Sequence, residues 1–233
     1  MLSGYSFRPR AWAALAAAAA CAAGIALGNW QSGRAEEKRA LGARIEEGLQ
    51  GSPIEISSGK LSADYLAWRH VAARGRFVDE HTVYLDNKLR RGRPGYEVVT
   101  PLRLNGMHVL VNRGWVEAGK SREILPKVPV PAGEVRIEGL ALPRLPHVLQ
   151  AGPDKGKVRQ NVDLASFAKE TGLAFQPLVI EQHSSALDGL LREWPRPDTG
   201  IEKHEAYALQ WYSLAGLAVV LFVVLSFRRV AAR

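Results

Sequence analysis

A single cysteine, Cys21, stands in a chain of 233 residues. No internal disulfide can form, no CxxC pair exists for thiol redox chemistry or copper transfer, and no CxxCH is present for covalent haem attachment. Any domain this chain folds must therefore be stable through its core alone. The six histidines, His70, His81, His108, His147, His183 and His204, are never three to five residues apart, so the sequence contains no local metal pair. There is no GxSxG elbow, no Walker loop and no dinucleotide fingerprint. Acid pairs such as Asp79-Glu80 sit among turn residues and do not make a catalytic carboxylate pair. No constellation here supports an enzyme.

Charge is missing from two long stretches. None occurs between Arg10 and Arg34, where Ala11 to Trp30 is almost all Ala, Leu, Ile and Gly, and none between Glu205 and Arg228, where the run is YALQWYSLAGLAVVLFVVLSF. A bilayer core of about 30 Å needs about 20 helical residues, and both stretches are long enough. The expected organisation is a cytoplasmic tail over 1–10, spans over 11–30 and 207–227, a periplasmic domain over 31–206 and a cytoplasmic tail over 228–233. The first span could alternatively be a cleaved signal peptide headed by Arg8 and Arg10, or a lipoprotein signal ending at Cys21. Against lipidation, Ala18 rather than Leu precedes the cysteine by three residues, and the apolar run continues to Trp30. An uncleaved anchor is the preferred reading. Arg8 and Arg10 before the first span, with Arg228, Arg229 and Arg233 after the second, place both ends in the cytoplasm by the positive-inside rule.

The net charge of +8 does not point to nucleic acid. Basic residues are scattered among acids, and no basic tract accompanies base-stacking aromatics. Anionic lipid or an acidic partner is the better counterpart for this charge.

Between the spans, QSGRAEEKRALGARIEEGLQ (31–50) reads as a polar helix with charges at helical neighbour spacing, stopped by Gly51, Ser52 and Pro53. The pattern then changes to strands: HVAARGRFV, TVYLDN, GYEVVTPLRL, MHVLVNRGWV and EVRIEGLAL. In GYEVVTPLRL, Tyr96, Val98, Thr100, Leu102 and Leu104 alternate onto one face, and Asn105-Gly106 marks a hairpin. NVDLASFAKET predicts a short helix capped at Asn161, and PLVIEQ a closing strand. The fold class is α+β: two transmembrane helices flanking a small, mainly antiparallel β domain, barrel or sandwich, with short helices. In VNRGWV (111–116), Gly114 suggests a bulge or a close backbone approach, and Trp115 a core residue. Arg113 suggests a partner for a buried acid, or for a carboxylate of another molecule.

Taken in order, these residues resemble the surfeit-locus-one family of assembly factors for cytochrome c oxidase. Gly28-Asn29-Trp30-Gln31 with Arg34 and Lys38 is similar to the family's motif at the exit of the first span. Gly75-Arg76-Phe77, Asp86-Asn87, Gly95-Tyr96, Thr100-Pro101-Leu102 and VNRGWV follow, and His204 with Tyr207-Ala208 and Trp211 resembles the motif at the second span. The resemblance implies binding of haem a and its delivery to the largest oxidase subunit, with haem a synthase as a further possible partner. His204 is then the candidate iron ligand, with Tyr207 and Trp211 flanking it. Residues 204, 207 and 211 fall on one helical stripe at the outer edge of the bilayer, and Trp30 and Gln31 end the first span in the same leaflet. Two readings of the stripe stay open: a ligand with aromatic walls, or a plain interfacial aromatic belt behind a cofactor-free scaffold. With no long Arg- and Ser-rich presequence evident, a bacterial inner membrane is expected.

Overall fold

The computed structural model describes residues 5–57, 59, 61–119, 124–148, 156–195 and 200–229. Along the chain run β1 (Tyr5–Phe7), α1 (Ala11–Gln50), β2 (Ile54–Ile56), α2 (Ala63–Leu66), β3 (His70–Phe77), β4 (Val83–Arg90), β5 (Arg93–Arg103) and β6 (His108–Glu117). Then follow β7 (Val135–Leu142), β8 (Val158–Arg159), α3 (Leu164–Thr171), β9 (Phe175–Gln182), α4 (Ile201–Ser226) and β10 (Phe227–Arg229). The chain forms two compact units, Met1–Ala43 with Pro195–Arg233, and Arg44–Trp194. The fold is α+β, with long apolar helices near both ends and a β-rich domain between them in sequence.

The first unit is a helix pair. Alanine, the best helix former, dominates the start of α1, and the helix continues past Trp30 without a break until Gly51-Ser52-Pro53 ends it. Both α1 and α4 are long and apolar enough to cross a membrane. The buried positions of α1 are Gly24, Gly28 and Ala35, and those of α4 are Ala208, Ala215 and Ser226. Small residues at the contact let the two backbones approach closely. A Cβ on Gly24 would sit 2.9 Å from that of Ala215, and one on Gly28 would sit 2.4 Å from the Tyr212 ring. The second helix begins at Ile201 rather than at 207, so His204 lies within its first turn. The tail expected over 1–10 contains β1, which pairs with β10; β10 begins at Phe227, the last residue of the expected span, and runs into the tail expected over 228–233, of which Arg233 lies outside the described residues.

The second unit is a barrel, which decides between the two expected architectures. Its eight strands run β2-β3-β7-β9-β6-β5-β4-β8, and an additional β3–β5 pairing closes β3, β7, β9, β6 and β5 into a ring. Alternate residues of all five ring strands meet in one cluster: Val71 and Ala73, Ile137 and Ala141, Leu178 and Ile180, Val109 and Val111, and Leu102, joined by Leu104 just past the end of β5. The intervening residues Leu110, Leu140, Val179 and Val99 pack outward with Phe167 of α3 and, at its margin, Ile45 and Leu49 from the end of α1. The period-two pattern is therefore present, but both faces are buried. The sheet is mixed rather than purely antiparallel, because β2–β3, β4–β8 and β6–β9 are parallel.

The five predicted strands correspond to β3 through β7, and the sixth, PLVIEQ, lies within β9. Asn105-Gly106 makes the expected turn: Leu104 N–H donates to the Met107 carbonyl at 2.7 Å, and Gly106 has φ +89. The cap assignment on α3 needs correction. Asp163, not Asn161, occupies the N-cap, accepting from the Ser166 N–H at 2.8 Å. That hydrogen bond holds its carboxyl below the usual range. The Asn161 carboxamide is instead engaged with both the N–H and the C=O of Val148.

Several of the sequence motifs resolve into barrel construction. Gly75 lies where β3 meets β5, and a Cβ there would come within 2.2 Å of the Arg103 carbonyl. Any other residue at 75 would push the closing strands apart. Gly95 lies beneath the Trp115 indole, where a Cβ would stand 2.4 Å from the ring and 2.3 Å from the Val116 carbonyl. Gly95→Ala is expected to destabilise the protein by about 1–3 kcal/mol through overpacking. Thermal unfolding of the full chain checks this: each kcal/mol should lower the midpoint by about 2–4 °C.

Candidate functional site

Two regions contain the residues singled out by sequence. In the barrel, Val98 pairs with Gly114 and Val99 with Asn112, leaving Arg113 as the extra residue of a β-bulge. Gly114 adopts φ +143, and a Cβ there would stand 2.8 Å from that of Leu190 and 2.9 Å from the Leu191 carbonyl. Both expectations for this glycine, bulge and close approach, hold.

The bulge turns Arg113 into the protein. Its guanidinium is fully buried and donates to Asp188 at 3.1 Å and to the Pro129 carbonyl at 2.7 Å, with the Phe77 ring centre 4.9 Å from its central carbon. Asp188 also receives Arg192 at 2.6 Å. Burial pulls the Arg113 pKa down, and the Asp188 carboxylate opposes that shift. Trp115 is 4% exposed, and its indole N–H donates to the Lys88 carbonyl at 2.8 Å. Asn87, at φ +61, lies in the β4 irregularity just before Lys88. VNRGWV, Gly75-Arg76-Phe77 and Asp86-Asn87 are thus parts of one structural knot. Among the described residues, no group of three or more His, Cys, Asp or Glu is arranged to hold a metal ion.

The other region is the helix pair. His204 of α4 is half-buried, and its Nδ1 stands 2.7 Å from the Oε1 of Gln31 on α1. With the Gln31 carboxamide oxygen as acceptor, Nδ1 would carry the proton and Nε2 would be left with the lone pair. Arg39 pairs with Glu205 beside this contact. Tyr212 donates to Asn29 Oδ1 at 2.8 Å and lies 3.4 Å from the Ser32 hydroxyl. Trp211 is half-buried, whereas Trp30 and Tyr207 are 58% and 52% exposed. The stripe facing α1 is therefore His204, Ala208, Trp211, Tyr212 and Ala215, with the more exposed Tyr207 off it by helical geometry. Sequence reasoning missed Tyr212 and Gly24, and had Asn29 only as a member of the first-span motif. The small-residue spacing of Gly24 and Gly28 was the one signal available for them.

Gly28, Asn29 and Gln31, from the motif at the end of the first apolar run, thus meet His204 and Tyr212 at the start of the second. The model of the SURF1 family matches residues 18–216, which takes in both motifs and the barrel between them. The chain belongs to the SURF1 family. It is 27% identical over 207 residues to a SURF1-like protein of Rickettsia bellii, covering 85% of this chain and 84% of that one. It is also 27% identical over 229 residues to surfeit locus protein 1 of Xenopus tropicalis, covering 89% and 73%. A SURF1-like protein of Drosophila melanogaster is 28% identical over 215 residues, covering 81% and 69%. SURF1 proteins are known generally as cytochrome c oxidase assembly factors, and the family is not one of enzymes.

The residues of the helix pair fit a haem. An imidazole held through Nδ1 would offer Nε2 to iron, and a ligating histidine usually donates its other ring N–H to an acceptor, the part the Gln31 oxygen would play here. Trp30 and Tyr207 add exposed aromatic faces nearby, suited to a flat macrocycle.

Proposed function

We propose that this SURF1-family protein binds haem a through His204 and assists its delivery to the largest subunit of cytochrome c oxidase. It would do so in a bacterial inner membrane, with the barrel on the periplasmic side and haem a synthase as the source of the cofactor. The hydrogen bond between Gln31 and His204 is the observation that carries this reading. It joins the two motifs across 173 positions of sequence and, with the Gln31 oxygen accepting from Nδ1, would leave Nε2 for the iron. The cofactor brings a Lewis-acidic iron able to accept that nitrogen. The chain's own residues do the rest: Gln31 orients the ring, and Trp30, Tyr207 and Trp211 supply aromatic surface that shields the face from water. The arginines at both chain ends support the topology.

Gln31 provides the test. Gln31→Leu removes the acceptor, and loss of such an outer partner typically costs about 10–100-fold in metal affinity. Gln31→Glu keeps an acceptor and should retain binding. Titration of the purified full chain with haem a measures both. Equal affinity of Gln31→Leu and wild type would contradict the assignment.

A second reading, a cofactor-free scaffold for an immature oxidase subunit, draws on a different observation. Gly75, Phe77, Asn87, Gly95, Arg113 and Trp115 all serve the barrel's own architecture. A family whose distinctive residues build a fold need not carry a ligand.

A further inference from the structure

At the end of the helix pair nearest the chain termini, β1 and β10 form a two-stranded ribbon. Tyr5 stands opposite Arg229, Ser6 opposite Arg228 and Phe7 opposite Phe227. The Arg8 N–H extends the ladder to the Ser226 carbonyl at 2.7 Å. Directly opposed residues of an antiparallel pair point to the same side, so the ribbon has two unlike faces. One carries Tyr5, Phe7 and Phe227, the two phenylalanine rings meeting edge to face at 5.3 Å. Arg229 lies over the Tyr5 ring at 6.0 Å and donates to its hydroxyl at 3.2 Å. The other face carries Ser6 and Arg228.

Tyr5, Phe7 and Phe227 are 46%, 49% and 43% exposed. A two-stranded ribbon alone in water is marginal at best, so these rings need a surface to lie on. Charge says which surface. Arg8, Arg10, Arg228 and Arg229 are all exposed, and the chain has no acidic residue before Glu36 or after Glu205. Guanidinium groups match phosphate oxygens in a bidentate fork. Aromatic rings favour the boundary between water and hydrocarbon, and basic segments beside a span are drawn to anionic lipid. Both strands also adjoin the apolar helices: α1 starts at Ala11, and β10 follows α4 without a gap.

We propose that the β1–β10 ribbon is a binding element for anionic phospholipid, seated with its aromatic face in the headgroup layer and its arginines on lipid phosphates. This rests on α1 and α4 crossing a bilayer and is independent of the haem reading. A strand donated by another protein could pair with a free ribbon edge, but it would not require four uncompensated arginines.

The test reconstitutes the full chain in phosphatidylcholine bilayers containing spin-labelled phosphatidylglycerol or spin-labelled phosphatidylcholine, and measures the motionally restricted fraction of each. Wild type is expected to hold phosphatidylglycerol several-fold in excess of phosphatidylcholine. The combined variant Arg8→Gln, Arg10→Gln, Arg228→Gln and Arg229→Gln should bring that ratio close to one. Ser6→Pro leaves every charge in place but removes a ladder donor, since Ser6 and Arg228 lie two residues along from the bonded pair at Arg8 and Ser226 and so form the next bonded pair; it should lower the ratio as well. No preference in wild type, or a preference that Ser6→Pro leaves unchanged, would overturn the ribbon as the recognising element. Restricted lipid of neither kind would instead remove the spans on which the proposal stands.

Discussion

Replacing His204 by alanine should strip the protein of haem a while leaving its amount and fold unchanged. Alanine offers no lone pair to iron, so the loss should exceed the roughly 10–100-fold expected when only the hydrogen-bond partner of the imidazole is removed. The structural cost is small. His204 is half-buried in the first turn of α4, and its recorded side-chain hydrogen bond is the one to Gln31. A single such bond is worth about 0.5–1.5 kcal/mol net. Gly24 and Gly28 against Ala215 and Tyr212 would continue to hold the helices together. Haem per protein, measured on wild type and His204→Ala purified side by side from cells that make haem a, checks the effect. Tyr207→Phe and Trp211→Phe keep their aromatic faces and should retain most of it.

Removing Asp188 should have the largest effect on stability. Its side chain is 2% exposed and accepts from both Arg113, at 0%, and Arg192, at 10%. Among the described residues, Nε and Nη1 of Arg113 have no acceptor, so little besides Asp188 and the Pro129 carbonyl holds that charge. Asp188→Ala strands a buried guanidinium, and breaking a buried pair from one side costs about 3–5 kcal/mol. Against a total stability of about 5–15 kcal/mol, that is a large fraction. The unfolding midpoint should fall by roughly 6–20 °C, with low abundance in cells following from it. A midpoint within a degree or two of wild type would mean that the knot at the bulge is not what holds the barrel.

The two variants should therefore separate cleanly: His204→Ala loses ligand and keeps its fold, whereas Asp188→Ala loses fold. Trp115→Ala belongs with the second, since it empties a core site and typically costs about 3–5 kcal/mol.

How much of this was legible in the sequence depends on how far apart the interacting groups lie. The strands could be read because alternation is a local signal, and Gly114 betrayed its bulge because glycine inside a strand has few other uses. The helix end at Gln50 was written in Gly51-Ser52-Pro53. The α3 cap was misplaced by two residues, because Asn161 and Asp163 are both good caps and only the Val148 contact draws Asn161 elsewhere. Ring closure through β3–β5 and the parallel β6–β9 pairing were out of reach, since no local pattern encodes which strands meet. Burial on both faces of β5 follows from that closure, so the strand's alternation sorts residues between two cores rather than between core and solvent. The acid paired with Arg113 lies 75 residues away in a stretch without periodicity. In the helix pair, the stripe through 204, 207 and 211 rested on helical spacing alone; His204 and Trp211 are half-buried, whereas Tyr207 is 52% exposed. Which residues face α1 depends on the close approach at Gly24 and Gly28, and that brings Tyr212 into contact and leaves Tyr207 off the stripe.

The most direct test is the absorption spectrum of wild-type protein purified from membranes that make haem a, beside the same preparation from membranes that do not. A haem band in the first alone, lost on His204→Ala with the protein still folded, is the predicted result. Protein from haem a-producing membranes with no haem band, or with one unchanged by His204→Ala, would contradict it.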